Sequence, residues 1–293
     1  MNKLRSRALQ VQKADSRTRR KILKGFLTAT LSTLLVIYVF FPFSWIVTTS
    51  LKTNPEAMSI PITWIPERLT FQNYFEIWEG YHFTIYFMNS MIVSSSTAFL
   101  STFIGALAGY GFSRFKFRGK TFLIGAILAT QMISGTVIIA PYFKMLAEIG
   151  LYNTRFGLII ALTTICLPFC AWMTKGYFDS IPREIDEAAI IDGCSRFQAF
   201  LFIVSPLAVP GMVATLLFSF LLAWQDLLWA MTLTATESTR TVTIGLSFFV
   251  GQFQVNWPML MAATLVACLP SVLLYLVLQR ALVSGLTAGA VKQ

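Results

Sequence analysis

Long apolar runs separated by polar stretches are the main pattern along the chain. Six runs reach the about 20 mostly apolar residues that a membrane-spanning helix requires. They lie at roughly 25–48, 86–111, 121–142, 156–176, 208–232 and 259–281. Within the second run, Gly105 and Gly109 stand at GxxxG spacing, which allows a neighbouring helix to approach closely. The pattern predicts an all-α membrane protein with six transmembrane helices, the second of them buried among the others.

The composition supports the same class of protein. The 293-residue chain is 56% hydrophobic and only 12% charged, whereas soluble domains average about 25% charged residues. So few charges cannot cover a soluble surface, which excludes a cytosolic globular enzyme and a disordered chain. The four cysteines and one histidine form neither a disulfide framework nor a zinc ligand set. The first apolar run is too long for a signal peptide, so an uncleaved first span is expected.

Basic residues are distributed unevenly between the two sides that the six spans define. Most of the 23 Lys and Arg residues lie in the N-terminal tail 1–24, in the loop 112–120, and after the fourth and sixth spans. Because positively charged loops stay in the cytoplasm, both termini are predicted to face the cytoplasm. The net charge of +10 follows from this bias. We expect the basic tail to lie on anionic membrane lipid and not on nucleic acid.

The stretch 177–207 between the fourth and fifth spans is predicted to form two short helices. A side chain at 179–180 is expected to cap the first helix. Gly193 supplies the left-handed residue that ends that helix. Ser195 and Gln198 have the spacing of a capping box, which starts a second helix.

The spacing within this loop resembles the EAA loop, which marks permease subunits of binding-protein-dependent ABC importers. Glu187-Ala188-Ala189 is followed after three residues by Gly193, after nine more by Ile203, and then by Pro206. The family usually has leucine before this proline, where this chain has Ser205. The spans, the loop and the C-terminal sequence are most similar to carbohydrate permeases, in particular the G subunit of the maltose importer. The whole chain also resembles the smaller permease of alginate oligosaccharide importers.

This resemblance implies a type I ABC importer permease fold. It implies a cytoplasmic tail at 1–24, a membrane domain at 25–281 with the EAA loop at 177–207, and a cytoplasmic tail at 282–293. It implies that the EAA loop contacts an ATPase through Glu187, Ala188, Ala189, Asp192, Gly193, Ile203 and Pro206. It also implies a second contact by the C-terminal tail, through Gly285, Leu286, Thr287, Ala288 and Gly289.

The resemblance further implies a multi-subunit importer in the bacterial inner membrane. A second permease would complete the pathway as a heterodimer, and a periplasmic solute-binding protein would deliver a carbohydrate to the outward loops 49–85 and 233–258. Two ATPase subunits would hold ATP and Mg, because this chain lacks the G-x-x-x-x-G-K-[ST] phosphate-binding motif. No nucleophile or base accompanies the single His82 as a catalytic set. A transport subunit without a cofactor of its own is expected, not an enzyme.

Candidate pathway residues on the third and fifth spans combine aromatic faces with amide, hydroxyl and carboxylate groups, as sugar sites do. They are Gln131, Ser134, Trp224, Gln225, Asp226 and Trp229. Hydrogen bonding between helices explains Gln131 equally well, and an acid near the membrane interface explains Asp226. Three other functions stay open, namely an ABC importer of a non-carbohydrate solute, a self-contained channel or exporter, and a membrane-anchored enzyme.

Overall fold

The computed structural model describes residues 2–80, 82–250 and 255–290, and the side chains of 24–80, 82–250 and 255–281. Within these ranges the secondary structure is helical apart from one isolated β-bridge between Val250 and Val255. The chain forms two compact units, Met1–Thr70 and Phe71–Gln293.

The first unit consists of α1 (Asn2–Ser50) and the short helix α2 (Asn54–Ala57). The segment Lys24–Ser50 of α1 has 27 residues, and an 18-residue stretch within it has a mean hydropathy of 2.0. It is therefore long and apolar enough to cross a membrane, as the sequence predicts.

The second unit is a bundle of helices joined by loops. Its α-helices are α3 (Gln72–Gly80), α4 (Phe83–Arg114), α5 (Lys120–Ala129), α6 (Gly135–Glu148), α7 (Arg155–Ser180), α8 (Arg183–Ile191), α9 (Arg196–Gln198), α10 (Ser205–Leu207), α11 (Val209–Gln225), α12 (Leu228–Leu233), α13 (Val242–Ser247) and α14 (Trp257–Ala290). A 3₁₀ turn at Thr130–Met132 extends α5, and a π-helical segment at Ala199–Val204 joins α9 to α10.

The predicted spans are of two kinds in the structure. In the described part of the chain, α1, α4, α7 and α14 are long and apolar enough to cross a membrane as single helices. The α5–α6 pair passes the same test but is bent by 99°, and the α9–α10 segment and α11 form a second pair bent by 83°. The described residues therefore contain four possible spans, or up to six if each bent pair is one span.

Two predicted spans are shorter or more irregular than the sequence suggests. The prediction of an unbroken helix at 121–142 is wrong, because Ile133 and Ser134 have extended backbone between α5 and α6. The predicted span at 208–232 ends as a helix at Gln225, since the next residue leaves helical geometry. Hydropathy misses both breaks because an average over about 20 residues is dominated by the apolar residues on either side of each break.

Small residues let α4 and α7 pack closely side by side. A Cβ added to Gly105 would lie 2.6 Å from the Cβ of Cys170, and one added to Gly109 would lie 2.7 Å from the backbone nitrogen of Lys175. The Thr174 hydroxyl donates to the carbonyl of Gly105 at 2.8 Å. The prediction that the GxxxG stretch admits a neighbouring helix is confirmed.

Candidate functional site

The first helix of the EAA loop is α8, and it ends as the sequence predicts. Gly193 has a φ of +95°, a left-handed conformation that glycine adopts without a Cβ clash. The backbone N–H of Cys194 donates to the Ala189 carbonyl at 3.0 Å, and that of Gly193 donates to the Ile190 carbonyl at 3.1 Å. These two bonds form a Schellman motif, which closes the end of the helix.

The start of α8 differs from the prediction. Helix α7 continues through Ser180, so no side chain at 179–180 caps α8. Pro182 precedes α8 and disfavours helical backbone at Ile181, which is extended. The Asp179 carboxylate accepts from the Ser113 hydroxyl at 2.7 Å instead of capping a helix.

The second helix of the loop begins with the predicted capping box. The backbone N–H of Ser195 donates to Gln198 Oε1 at 2.8 Å, and the backbone N–H of Gln198 donates to Ser195 Oγ at 3.3 Å. The helix then widens into the π-helical segment and continues to Leu207. Pro206 lacks an N–H and cannot complete a regular α-helical ladder there, and π-helical segments are frequent at functional sites.

A buried ion pair, which sequence reasoning missed, holds α8 against the end of α4. Arg114 Nε lies 2.7 Å from Asp186 Oδ2, and the two side chains are only 6% and 9% exposed. The Tyr110 hydroxyl donates to Asp186 Oδ1 at 2.7 Å. Arg114 also donates to the carbonyls of Phe178 at 2.9 Å and Ile181 at 3.1 Å. Both charges are therefore compensated inside the protein.

The Glu-Ala-Ala residues divide between the two faces of α8. Ala189 is buried together with Asp186, which lies three residues earlier on the same helix face. The spacing of Asp186 and Ala189, three residues apart, is the sequence feature that could have indicated the buried face of α8. Glu187 and Ala188 are exposed, as is Asp192 at the end of the helix. The outer face of α8 therefore presents a carboxylate beside a small side chain.

Apolar side chains are also exposed at the end of α8 and in the second helix of the loop. Ile191 is 85% exposed, Phe202 66% and Phe197 57%. The predicted contact residues Ile203 and Pro206 are also exposed. Phe202 and Ile203 belong to the segment that is counted with α11 as a possible span, so their exposure requires no protein partner. Ile191 and Phe197 lie beside charged residues, and apolar side chains rimmed by charges are typical of a surface that binds another protein.

The predicted C-terminal contact lies on the last part of α14. The backbone of Gly285, Leu286, Thr287, Ala288 and Gly289 belongs to this helix, which ends at Ala290. Their side chains lie outside the described residues, and so do residues 291–293.

The structure places the two tryptophans among the candidate pathway residues in different buried clusters. Trp224 is buried, and its Nε1 donates to the Ala267 carbonyl at 3.0 Å. Trp229 belongs to a different buried cluster and packs edge-on against Tyr142, with ring centroids 5.2 Å apart. Gln225 lies between them and is exposed.

Asp226 stabilises the first turn of α12. Its carboxylate accepts from the backbone N–H groups of Trp229 at 3.4 Å and Ala230 at 2.9 Å. Its carbonyl accepts from the Thr243 hydroxyl at 2.6 Å. Aspartate is a favoured residue at helix starts, so this acid within an apolar run was the signal for the break after α11.

The candidates on the third predicted span lie at the break between α5 and α6. Gln131 is exposed, and its Nε2 donates to the Ile165 carbonyl of α7 at 2.9 Å. Ser134 is exposed beside it. A Cβ added to Gly135 would lie 3.3 Å from Trp229 Nε1. The breaks before α6 and before α12 are therefore adjacent.

Two asparagines hold the loop that follows α12. Asn153 has a φ of +56°, and its Oδ1 accepts from the backbone N–H of Ala235 at 2.8 Å. Asn89 of α4 donates through Nδ2 to the carbonyls of Ser238 at 2.9 Å and Arg240 at 2.8 Å. This part of the predicted outward loop 233–258 is thus fixed to the helix bundle.

The bundle and its exposed two-helix loop define a multi-pass helical membrane protein with a two-helix loop between two possible spans. Residues 101–287 match the family described as "Binding-protein-dependent transport system inner membrane component", and the chain belongs to this family. The matched region includes the whole EAA loop.

Individual proteins agree with this assignment. The chain is 37% identical over 261 residues to the inner membrane ABC transporter permease protein YcjP of Escherichia coli (strain K12), covering 88% of this chain and 93% of that protein. It is 31% identical over 277 residues to the trehalose/maltose transport system permease protein MalG of Thermococcus litoralis, covering 94% and 99%. A chain in the crystal structure of a bacterial ABC transporter involved in the import of alginate has the same fold, with a TM-score of 0.78, 20% identity and coverage of 88% and 96%. The predicted resemblance to sugar permeases and the predicted fold class are confirmed.

Proposed function

We propose that this chain is the permease subunit of an ATP-driven carbohydrate importer. The observation that carries this proposal is the EAA loop, whose motif spacing coincides with two capped helices and an exposed outer face. Family membership supports the transport role. The absence of the phosphate-binding motif from the sequence supports hydrolysis of ATP on separate chains.

The name of the relative in Thermococcus litoralis supports a carbohydrate as the transported solute. An acidic oligosaccharide such as alginate is a narrower proposal, supported by likeness of fold to the alginate transporter. The four acids in the outward loop 49–85 give no electrostatic preference for an acidic sugar.

We infer that the EAA loop couples ATP binding to transport by alternating access. ATP binding closes two ATPase subunits, α8 moves with them, and the spans change from inward- to outward-open. Such coupling requires α8 to bind the two ATPase states with different free energies. The outer face with Glu187, Ala188 and Ile191 is the proposed contact, and the tail at 285–289 is a second one.

The remaining partners follow from the same proposal. A second permease completes the pathway as a heterodimer, and both termini of this chain face the cytoplasm of a bacterial cell. A periplasmic solute-binding protein lands on the loops 49–85 and 233–258. The loop with Ser238 and Arg240 suits this role because its backbone is already held in one conformation.

Gentle purification tests the assembly. The chain carries a tag at its N-terminus, which leaves the tail at 285–289 unaltered, and mass spectrometry identifies the proteins that accompany it. We expect an ATPase and a second permease. Ala188→Trp should reduce the recovered ATPase, because the bulky ring stands on the exposed outer face of α8. Ala147→Trp, also at an exposed position but on α6, is the matched control and should recover the ATPase as the wild type does.

A second step identifies the solute. The accompanying binding protein is screened by thermal shift against neutral oligosaccharides, alginate oligosaccharides, phosphodiesters and amino acids. Stabilisation by a sugar alone supports the carbohydrate assignment, and stabilisation by another class contradicts it. Recovery of this chain alone, intact and monodisperse, would favour a self-contained channel.

A further inference from the structure

Helix α4 contacts two loops that have proposed roles in transport, the EAA loop at one end and the predicted outward loop at the other. Helix α4 has 32 residues without a proline, which corresponds to a length of about 48 Å at 1.5 Å per residue. It packs against α7 and α11, and without a proline it lacks a common cause of helix kinks. Its two ends make specific polar contacts with two loops that are far apart along the chain.

At one end, α4 holds the first helix of the EAA loop. Arg114 and Asp186 form the buried ion pair, and Tyr110 donates to the same carboxylate. A buried pair of opposite charges has a strong orientation preference, because breaking it leaves an uncompensated charge in a medium of low dielectric constant. Helix α8 therefore cannot turn or slide without moving the end of α4 or breaking this pair.

The same end of α4 also contacts the second helix of the loop. The guanidinium of Arg196, the first residue of α9, lies 5.4 Å from the ring centroid of Phe115. The ring of Tyr110 packs against Phe200 in the π-helical segment, with centroids 5.0 Å apart. The loop is thus attached to α4 on both sides of its glycine, in addition to its covalent links to α7 and α11.

At the other end, α4 holds the predicted outward loop. Asn89 Nδ2 donates to the carbonyls of Ser238 and Arg240, and the Ser90 hydroxyl accepts from the backbone N–H of Val242 at 2.8 Å. Asn89 is 1% exposed. It lies 25 residues before Arg114, about 37 Å along the helix axis.

We propose that α4 links the EAA loop to the outward loop 238–242, with Arg114 and Asn89 as the positioning residues at its two ends. Arrival of the solute-binding protein at 238–242 then changes the position of α8, and movement of α8 changes the loop that receives the binding protein. This inference rests on the proposed importer function, and the reciprocity of coupled sites applies to the two affinities.

The test measures ATP hydrolysis by the purified importer in proteoliposomes, with and without its binding protein and solute. Arg114→Gln and Asn89→Ala are each expected to keep the basal ATPase rate and the assembled subunits. Each should lower the stimulation by the binding protein by about tenfold, within the range typical of coupled sites. Transported solute per ATP should fall as well, which a merely structural role would not require.

Matched controls come from the same region. Lys175→Gln breaks the ion pair of α7 with Asp179, which is 42% exposed, and should leave stimulation unchanged. Gly111→Ala alters α4 where nothing lies within 4 Å and should do the same. The exchanged pair Arg114→Asp with Asp186→Arg restores opposite charges and should recover part of the stimulation.

A double-mutant cycle distinguishes one linked path from two independent defects. If α4 links the loops, the Asn89→Ala and Arg114→Gln double variant loses little more stimulation than either single variant. The proposal is overturned if the double variant loses stimulation by the product of the two single losses. It is also overturned if an assembled Arg114→Gln complex keeps full stimulation. A wild-type complex that lacks an ATPase would instead overturn the importer function itself.

A second variant covers the case in which Arg114→Gln does not accumulate in the membrane. Phe115→Ala removes the half-exposed ring under Arg196 and leaves the buried ion pair intact. We expect a stimulation several-fold below that of the wild type, together with faster hydrogen exchange at the start of α9. Wild-type stimulation in this variant contradicts the role of α4.

Discussion

Replacing Gly109 by alanine tests the close packing of α4 on α7. The added Cβ would lie 2.7 Å from the backbone nitrogen of Lys175 and 3.0 Å from the Cβ of Thr174. The nearest backbone atom cannot rotate away as the end of a flexible side chain can, so α7 itself must shift. Overpacking of this kind costs about 1–3 kcal/mol.

A control on the same helix separates packing from helix propensity. Gly111→Ala places the same methyl group where nothing lies within 4 Å. Both variants gain the preference of alanine over glycine in a helix, about 1 kcal/mol, so this gain cancels in their difference. The Gly109→Ala protein should therefore be less stable than the Gly111→Ala protein by about 1–3 kcal/mol.

Thermal unfolding in detergent measures the difference. One kcal/mol corresponds to roughly 2–4 °C in the midpoint for a protein of this size range, so the two midpoints should differ by about 2–12 °C. Both are recorded at one heating rate, because the midpoint of an irreversible unfolding transition depends on the scan rate. Equal midpoints for the two variants would show that α4 and α7 tolerate a wider separation, and the packing argument would be wrong.

Three further predictions concern the loops. Gly193→Pro should insert into the membrane normally but lose ATP-driven uptake, because proline fixes φ near −65° and removes the N–H that closes α8; undiminished uptake would contradict the coupling role. Asp226→Ala should lower the unfolding midpoint, since loss of a helix-start acceptor costs about 0.5–2 kcal/mol. A raised KM for the solute at unchanged stability would instead indicate a substrate contact. Asn153→Ala should expose Arg240 to faster trypsin cleavage, because the variant lacks the amide oxygen that bonds to Ala235 and Thr239 just before it. Cleavage at the wild-type rate would show that this oxygen does not hold the loop.

Much of the EAA loop could be predicted from the sequence because its determinants are local. Gly193 ends α8 through its own backbone freedom, and Ser195 with Gln198 starts the next helix through bonds three residues apart. The close approach of a neighbouring helix to α4 was also predictable, since Gly105 and Gly109 lie one turn apart on one face, but only the structure shows that this neighbour is α7. Each of these features depends on residues that lie close together in the sequence.

The breaks before α6 and before α12 could be predicted only in part from the sequence. Ser134 and Asp226 are residue types that favour helix starts, but each lies in a run apolar enough for an unbroken span. Asp226 accepts from the first turn of α12, whereas Ser134 precedes α6 without a side-chain capping bond. Hydropathy averages over about 20 residues and therefore cannot resolve such a change.

The sequence alone determined the class of protein, the number of apolar runs, the glycine end of α8 and the capping-box start of α9, because composition and short-range bonds decide these features. Only the tertiary structure decided how the polar residues are used. In the sequence, Arg114 belongs to the basic loop 112–120, and Asp186 to the EAA loop at 177–207. They lie 72 positions apart, so no local pattern predicts that they meet at 2.7 Å in a buried pair. The packing of α4 beside the EAA loop brings them together, and burial of each charge then requires the other.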